Sequence, residues 1–288
     1  MKLSIVLATY NRASLLERSI SWGYMRQTMP LSDFEIIVLD DDSTDHTLKV
    51  CNQARSNGLN LTYVRLHMPE GMKWRDASSI LNQGIRLASG ELILLTHPEV
   101  IPGEEVLQAC YDASADNVYV CAKPFYLTVD QQKRIDHALI WDRNVDYPNV
   151  RKDKYSLFDL ITATSCYDFW NAPSAEYNKL PEYQHRNIYK AQRWDSWVFG
   201  GLTRATWKRI GGLSEHIEWG TVDVTFLRRR QVLGIANHTL TSNDNQFVYH
   251  QNHDHEELPP PRSNEFVKTM KPVKTVEDAV LGNLEGWV

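Results

Sequence analysis

Short apolar runs alternate along this chain with stretches whose apolar residues recur every three or four positions. Leu3 to Leu7, Glu35 to Leu39 and Leu61 to Leu66 are runs of the first kind, and Leu92 to Leu95 is another, set between Gly90 and the turn formers Pro98, Pro102 and Gly103. Each reads as a short buried strand. Leu15, Leu16, Ile20 and Tyr24 follow helical spacing behind Asn11, a plausible N-cap. Leu48, Cys51 and Ala54 mark the inner face of a second helix, capped by Ser43 or Thr44. Ala77, Ile80, Leu81, Gly84, Ile85 and Ala88 mark a third. One more helix is predicted over 104–115 and one more strand over 118–121. Strands alternating with helices imply an α/β fold with a mostly parallel sheet and right-handed crossovers.

Such sheets place their chemistry at the carboxyl ends of the strands. The run Leu92 to Leu95 delivers His97 and Glu99, which would point the same way in an extended chain. There they could meet one divalent cation, or a cation and a phosphate oxygen. Glu35 to Leu39 runs into Asp40, Asp41 and Asp42, whose mutual repulsion calls for a ligand or partner. A carboxylate there can accept hydrogen bonds from a base N–H or from ribose hydroxyls. Asp42 and Asp45 also suit a helix N-terminus, which leaves Asp40 and Asp41 to face the ligand. The first turn, Ala8 to Arg12, lacks the glycine fingerprint of a dinucleotide site. Three histidines, His250, His253 and His255, follow a predicted strand over 246–249, but no cysteine accompanies them in a zinc pattern.

Composition narrows the class. The 288 residues carry a net charge of -5, with 42% hydrophobic and 23% charged positions, which fits one large α/β domain and gives no general pull toward polyanions. Four widely spaced cysteines without a Cys-x-x-Cys pair suggest free thiols in a reducing compartment. No apolar run reaches the length of a membrane span, and the N-terminal run is too short for a signal peptide. A cytoplasmic protein is expected. Aromatic residues crowd 123–193 without periodicity and could line a carbohydrate cleft.

The succession Ser4 to Arg12, Glu35 to Asp45, Asn82 to Ile85 and Ala88 to Glu91 resembles the nucleotide-binding half of family 2 glycosyltransferases with the GT-A fold. That resemblance implies donor contacts from Thr9, Tyr10, Arg12, Asp40, Asp41 and Arg75. It also places the family's Asp-x-Asp metal motif on His97-Pro98-Glu99, with Glu99 keeping the metal carboxylate and His97 replacing the first Asp. A late histidine completes the metal site in such enzymes, here His250, with His253 as the second choice. Gly200 to Glu215 and Trp219 to Arg229 are similar to the acceptor side of galactosyltransferase-like GT-A enzymes. This implies Asp223 as general base, with Val222 in place of the usual Glu. Trp219, Gly220 and Gly201 fall on the acceptor or sugar side.

The resulting expectation is an inverting transferase moving a sugar from a nucleotide diphosphate, UDP foremost, to a hydroxyl acceptor. Mn²⁺ is the expected metal and Mg²⁺ the alternative. Residues 1–122 would bind the donor, 123–256 the acceptor within the same domain, and 257–288 would form a tail with a proline-rich start. A sugar nucleotidyltransferase would need a glycine-rich basic N-terminal loop, which is absent. A non-catalytic nucleotide-sugar binder or scaffold would differ in showing no donor turnover.

Overall fold

The computed structural model describes residues 1–67, 70, 75–122, 124–129, 131–133, 135–136, 198–215, 222–240 and 246–253. Most of the aromatic middle, the tail, Cys166, Trp219, Gly220 and His255 lie outside these residues. The first half alternates as its pattern predicts: β1 (Leu3–Thr9), α1 (Ala13–Arg18), β2 (Phe34–Asp40), α2 (Thr47–Ser56), β3 (Leu61–Arg65), α3 (Ala77–Leu87) and β4 (Leu92–Thr96). Then come β5 (Val100–Pro102), α4 (Val106–Asp112), β6 (Val118–Ala122), β7 (Pro124–Tyr126), β8 (Phe199–Thr203), α5 (Arg204–Ile210), α6 (Val222–Val232), β9 (Ala236–Leu240) and β10 (Val248–His250).

Seven strands form one sheet in the order β3-β2-β1-β4-β8-β6-β9. The pairs among β3, β2, β1 and β4 are parallel, as is β6 with β9, and only β8 runs against its neighbours. Both faces are covered, so successive residues of one strand enter opposite cores. Leu3, Ile5 and Leu7 join Ile36, Val38 and Leu94 beneath α1, α2 and α4, while Val6 joins Ile37, Leu39, Ile93 and Leu95 beneath α3, α5 and α6.

Strand β8 enters between β4 and β6 because it carries Gly200 and Gly201. A Cβ on Gly201 would stand 1.9 Å from Ile93 O. Gly201, expected on the acceptor side, is thus a buried sheet residue whose missing side chain lets neighbouring backbone approach. Helix α5 ends on Gly211 and Gly212, both with left-handed φ of 72° and 74°, and Gly212 N–H returns to Trp207 O. The buried guanidinium of Arg229 in α6 donates to Gly212 O at 2.7 Å and to Ile210 O, satisfying the carbonyls at that end.

Three local expectations change. Asn11 does not cap α1: its φ is 50° and Arg12 holds the N-cap position. Neither Ser43 nor Thr44 caps α2, whose N-cap is His46, although Asp45 Oδ1 accepts from Thr47 N–H at 3.0 Å. Leu48 is exposed, whereas Cys51 and Ala54 face inward as expected and are joined there by Thr47 and Val50.

A second sheet, in the order β5-β10-β7, lies at the carboxyl end of β4. His250 pairs with Val100 on antiparallel β5 and with Tyr126 on parallel β7. Trp22, Ile101, Phe125, Leu127, Phe247 and Tyr249 form its apolar backing.

Candidate functional site

The turns after β1 and β2 lock into each other. Asn11 N–H donates to Ser43 Oγ at 2.9 Å, and Asn11 Oδ1 accepts from Thr44 N–H at 2.8 Å. Ala13 N–H, at the start of α1, donates to Asp45 Oδ2 at 2.9 Å. Burial pushes the Asp45 carboxyl up, but the bonds from the Thr47 hydroxyl and from the Ala13 and Thr47 N–H groups outweigh it and hold it below its ordinary value. Asn11 tolerates its left-handed backbone because its amide bonds locally. These motif residues therefore build the frame.

Asp40 belongs to that frame too. It is 1% exposed, with Oδ1 accepting from Ser43 N–H at 2.8 Å and Oδ2 taken by the Tyr63 hydroxyl. The expectation that it faces a ligand beside Asp41 does not fit that arrangement. Asp42, at φ 69°, pairs with Arg65 at 2.9 Å. Asp41 is half-buried and faces Arg75 Nε at 3.1 Å, an ion pair without the alignment of a hydrogen bond. Burial raises the Asp41 carboxyl above its ordinary value; Arg75 opposes the rise, while Asp40 and Asp42 add to it. Thr9 lies opposite Asp40 in the sheet register, and its buried hydroxyl has no hydrogen-bond partner among the described residues. Tyr10 is exposed.

The other end of the site is a cluster. Glu99, His250 and His253 each offer a ligand atom within 4.8 Å of the others. Glu99 Oε1 stands 4.0 Å from His250 Nε2 and 3.8 Å from His253 Nε2. His97 and Glu99 do not project side by side from an extended strand as expected, because the chain turns at Pro98 and Val100 N–H bonds back to His97 O at 3.1 Å. His97 is outside the ligand group, and His253 is inside it together with His250. Burial pushes the Glu99 carboxyl up, yet His97, His250, a backbone N–H and His253 together bring it below its ordinary value. Burial lowers the His250 imidazole to about 4, against the pull of Glu99. His250 Nδ1–H donates to Gln251 O at 2.9 Å, which leaves Nε2 bare toward the carboxylate. One carboxylate and two imidazoles suit a borderline divalent cation, and a half-buried carboxylate beside a neutral imidazole calls for one. The residues present fit such a metal.

Arg12 links the two ends: its Nη1 lies 3.5 Å from His253 Nδ1. In the segment expected on the acceptor side, Asn82 of α3 clasps the chain after α5. Its Nδ2 donates to Leu213 O at 2.9 Å and to Glu215 Oε1 at 2.8 Å, and its Oδ1 accepts from Leu213 N–H at 2.8 Å. Asp223 is exposed in the first turn of α6.

Residues 4–169 match the model of glycosyl transferase family 2. The chain belongs to glycosyl transferase family 2. With the sheet order above, it has the α/β GT-A fold. Validoxylamine A glucosyltransferase of Streptomyces hygroscopicus subsp. jinggangensis is 40% identical over 113 residues, which are 39% of this chain and 25% of that protein. Poly(ribitol-phosphate) beta-glucosyltransferase of Bacillus spizizenii is 33% identical over 117 residues, 41% of this chain and 18% of the relative. The matches to these two relatives thus span a quarter or less of their length. A mannosyltransferase from Pyrobaculum calidifontis, solved with GDP-Man and Mn²⁺, aligns over 86% of this chain and 56% of its own with a TM-score of 0.50. At 17% identity it shares the fold alone.

Among the described residues no helix is long and apolar enough to cross a membrane. Cys51, Cys110 and Cys121 are free and buried. Sequence reasoning missed Tyr63 as partner of Asp40 and Asn82 as clasp, because each depends on a contact distant in the chain. The signal for His253 was present, since it lies in the same polar run as His250.

Proposed function

We propose that this chain transfers a hexosyl group from a nucleotide diphosphate, UDP foremost, to a hydroxyl acceptor with inversion at the anomeric carbon. One observation carries the reading: the Thr9, Asp41 and Arg75 end and the Glu99, His250 and His253 cluster lie at the carboxyl ends of adjacent strands, joined by Arg12. Thr9 and Asp41 would hold the base or ribose, and the cation of Arg12 would face the diphosphate. Glu99, His250 and His253 would hold a divalent cation, Mn²⁺ with Mg²⁺ as the alternative, which offsets charge developing on the leaving diphosphate. Asp223 would take the acceptor's proton as its oxygen bonds to the anomeric carbon and the bond to the diphosphate breaks. Relatives named as glucosyl- and N-acetylglucosaminyltransferases support a hexosyl donor.

The test is Asp223→Asn, which keeps the side-chain shape and removes the base. Donor affinity by calorimetry should stay at the parental value while transfer falls about 100- to 10,000-fold. Parental transfer rates would remove Asp223 from the chemistry. A parent protein that binds the donor but neither transfers nor hydrolyses it would favour the non-catalytic alternative.

A further inference from the structure

Gln251 stands between the two histidines of the cluster, yet its own side chain turns away from them and is 1% exposed. Its amide Nε2 donates to Leu15 O at 2.9 Å and to Ser19 Oγ at 3.1 Å. Ser19 is wholly buried and opens a π-helical turn, Ser19–Gly23, that continues α1. Its Oγ lies 2.6 Å from Pro98 O and 3.1 Å from Leu15 O. A hydroxyl has one proton, and the shorter contact takes it, so Ser19 donates to Pro98 O and accepts from Gln251. The amide orientation is forced, because a flipped group would set its oxygen against Leu15 O. Hydrogen bonds therefore run from Gln251 through Ser19 to the carbonyl of Pro98, the residue before Glu99. The backbone of Gln251 holds the rest: its N–H donates to Glu99 O at 2.9 Å, and its carbonyl accepts from His250 Nδ1.

We infer that Gln251 and Ser19 are positioning residues that preorganise Glu99 against His250 for cation binding. The inference rests on the metal reading proposed above. The ligands come from a turn and a strand end distant in the chain, and a cation binds tightly only when both are held before it arrives. Backbone pairing of β5 with β10 sets the register but leaves the turn at Pro98 free to rotate its carbonyl. The buried side chains fix it. The π turn places a hydroxyl at that carbonyl, and such turns recur at functional sites.

Ser19→Ala removes the donor to Pro98, and Gln251→Met replaces the amide with an apolar chain of similar length. Mn²⁺ alone is titrated calorimetrically into the metal-free parent, both variants and Leu16→Ala, a core control whose apolar side chain takes no part in the hydrogen bonds from Gln251 to Pro98. Co²⁺ absorption then reports ligand geometry. Each variant should bind Mn²⁺ about 10- to 100-fold more weakly and shift the Co²⁺ bands, the range for outer-shell partners. Leu16→Ala should keep parental affinity and spectrum while melting earlier. Parental Mn²⁺ affinity in folded Ser19→Ala and Gln251→Met would overturn the inference alone, as would equal weakening in Leu16→Ala. A parent that binds no Mn²⁺ would overturn the metal reading and the inference with it.

Discussion

At the Asp41 end of the proposed site each carboxylate is answered by a partner from the same parallel sheet or its loops, whereas the ion-pair partners of Glu99 among the described residues are histidines. Asp41 faces the guanidinium of Arg75, Asp42 that of Arg65, and Asp40 is held by Ser43 and Tyr63. Glu99 faces His250 and His253, and His250 is kept neutral by burial. The first end therefore suits a neutral, hydrogen-bonding ligand such as a base or sugar. The second gathers a carboxylate and two imidazoles and suits a cation. The two ends also differ in origin: adjacent turns make one, and the small three-stranded sheet makes the other.

The sharpest way to break that comparison is Glu99→Ala. It should cost more in Mn²⁺ affinity than the roughly 10- to 100-fold lost when an outer-shell partner is removed. Nucleotide binding in the presence of a chelator should stay at the parental value. Calorimetry showing unchanged Mn²⁺ affinity would make the cluster a polar contact and erase the difference between the ends.

Asp41→Ala should do the reverse, weakening UDP by about 1 to 3 kcal/mol, the cost of an unsatisfied partner, while metal affinity holds. The variant also leaves Arg75 without its carboxylate, so part of the loss would be that orphaned charge. Equal UDP affinity in mutant and parent would take Asp41 out of the donor pocket.

The smallest expected effect is on stability against pH. Above pH 6.5 the His250 imidazole is neutral in both folded and unfolded chains. As pH falls below 6.5, the unfolded chain takes a proton that folded His250 refuses until about 4. Stability contributed by this group is thus present above 6.5 and lost toward 4, and the lowered Glu99 carboxyl acts in the same direction further into acid. His250→Phe, which keeps a ring against Tyr126, should flatten the melting temperature of metal-free protein between pH 6.5 and 5. An unaltered acid slope in that variant would show that His250 is not buried as neutral imidazole.

The alternation of strands and helices was legible because each element's burial pattern is written in contiguous residues. Leu3 to Thr9 and Leu92 to Thr96 needed no distant partner to be recognised as strands. The polar motif after β1 and β2 was legible for the same reason, and it lies within the residues that match the family. Roles inside the motif were less so. Asn11, read as a cap, joins the neighbouring turn; Asp45, read as a helix-start charge, meets the first N–H of α2 and also reaches across to Ala13; Asp40, read as a ligand contact, braces its own turn and Tyr63 of β3.

By itself the sequence determined the α/β class, a mostly parallel sheet and the family resemblance, since local apolar periodicity and a short polar motif suffice for these. Only the tertiary structure decided that Gly201 is sheet interior, that His97 leaves the ligand group and that His253 enters it. Those outcomes turn on which backbone passes within a few ångströms of which other, and on a turn at Pro98 that swings Glu99 toward a strand arriving from residue 248. Spacing along a chain does not encode that distance; the pairing of β5 with β10 does.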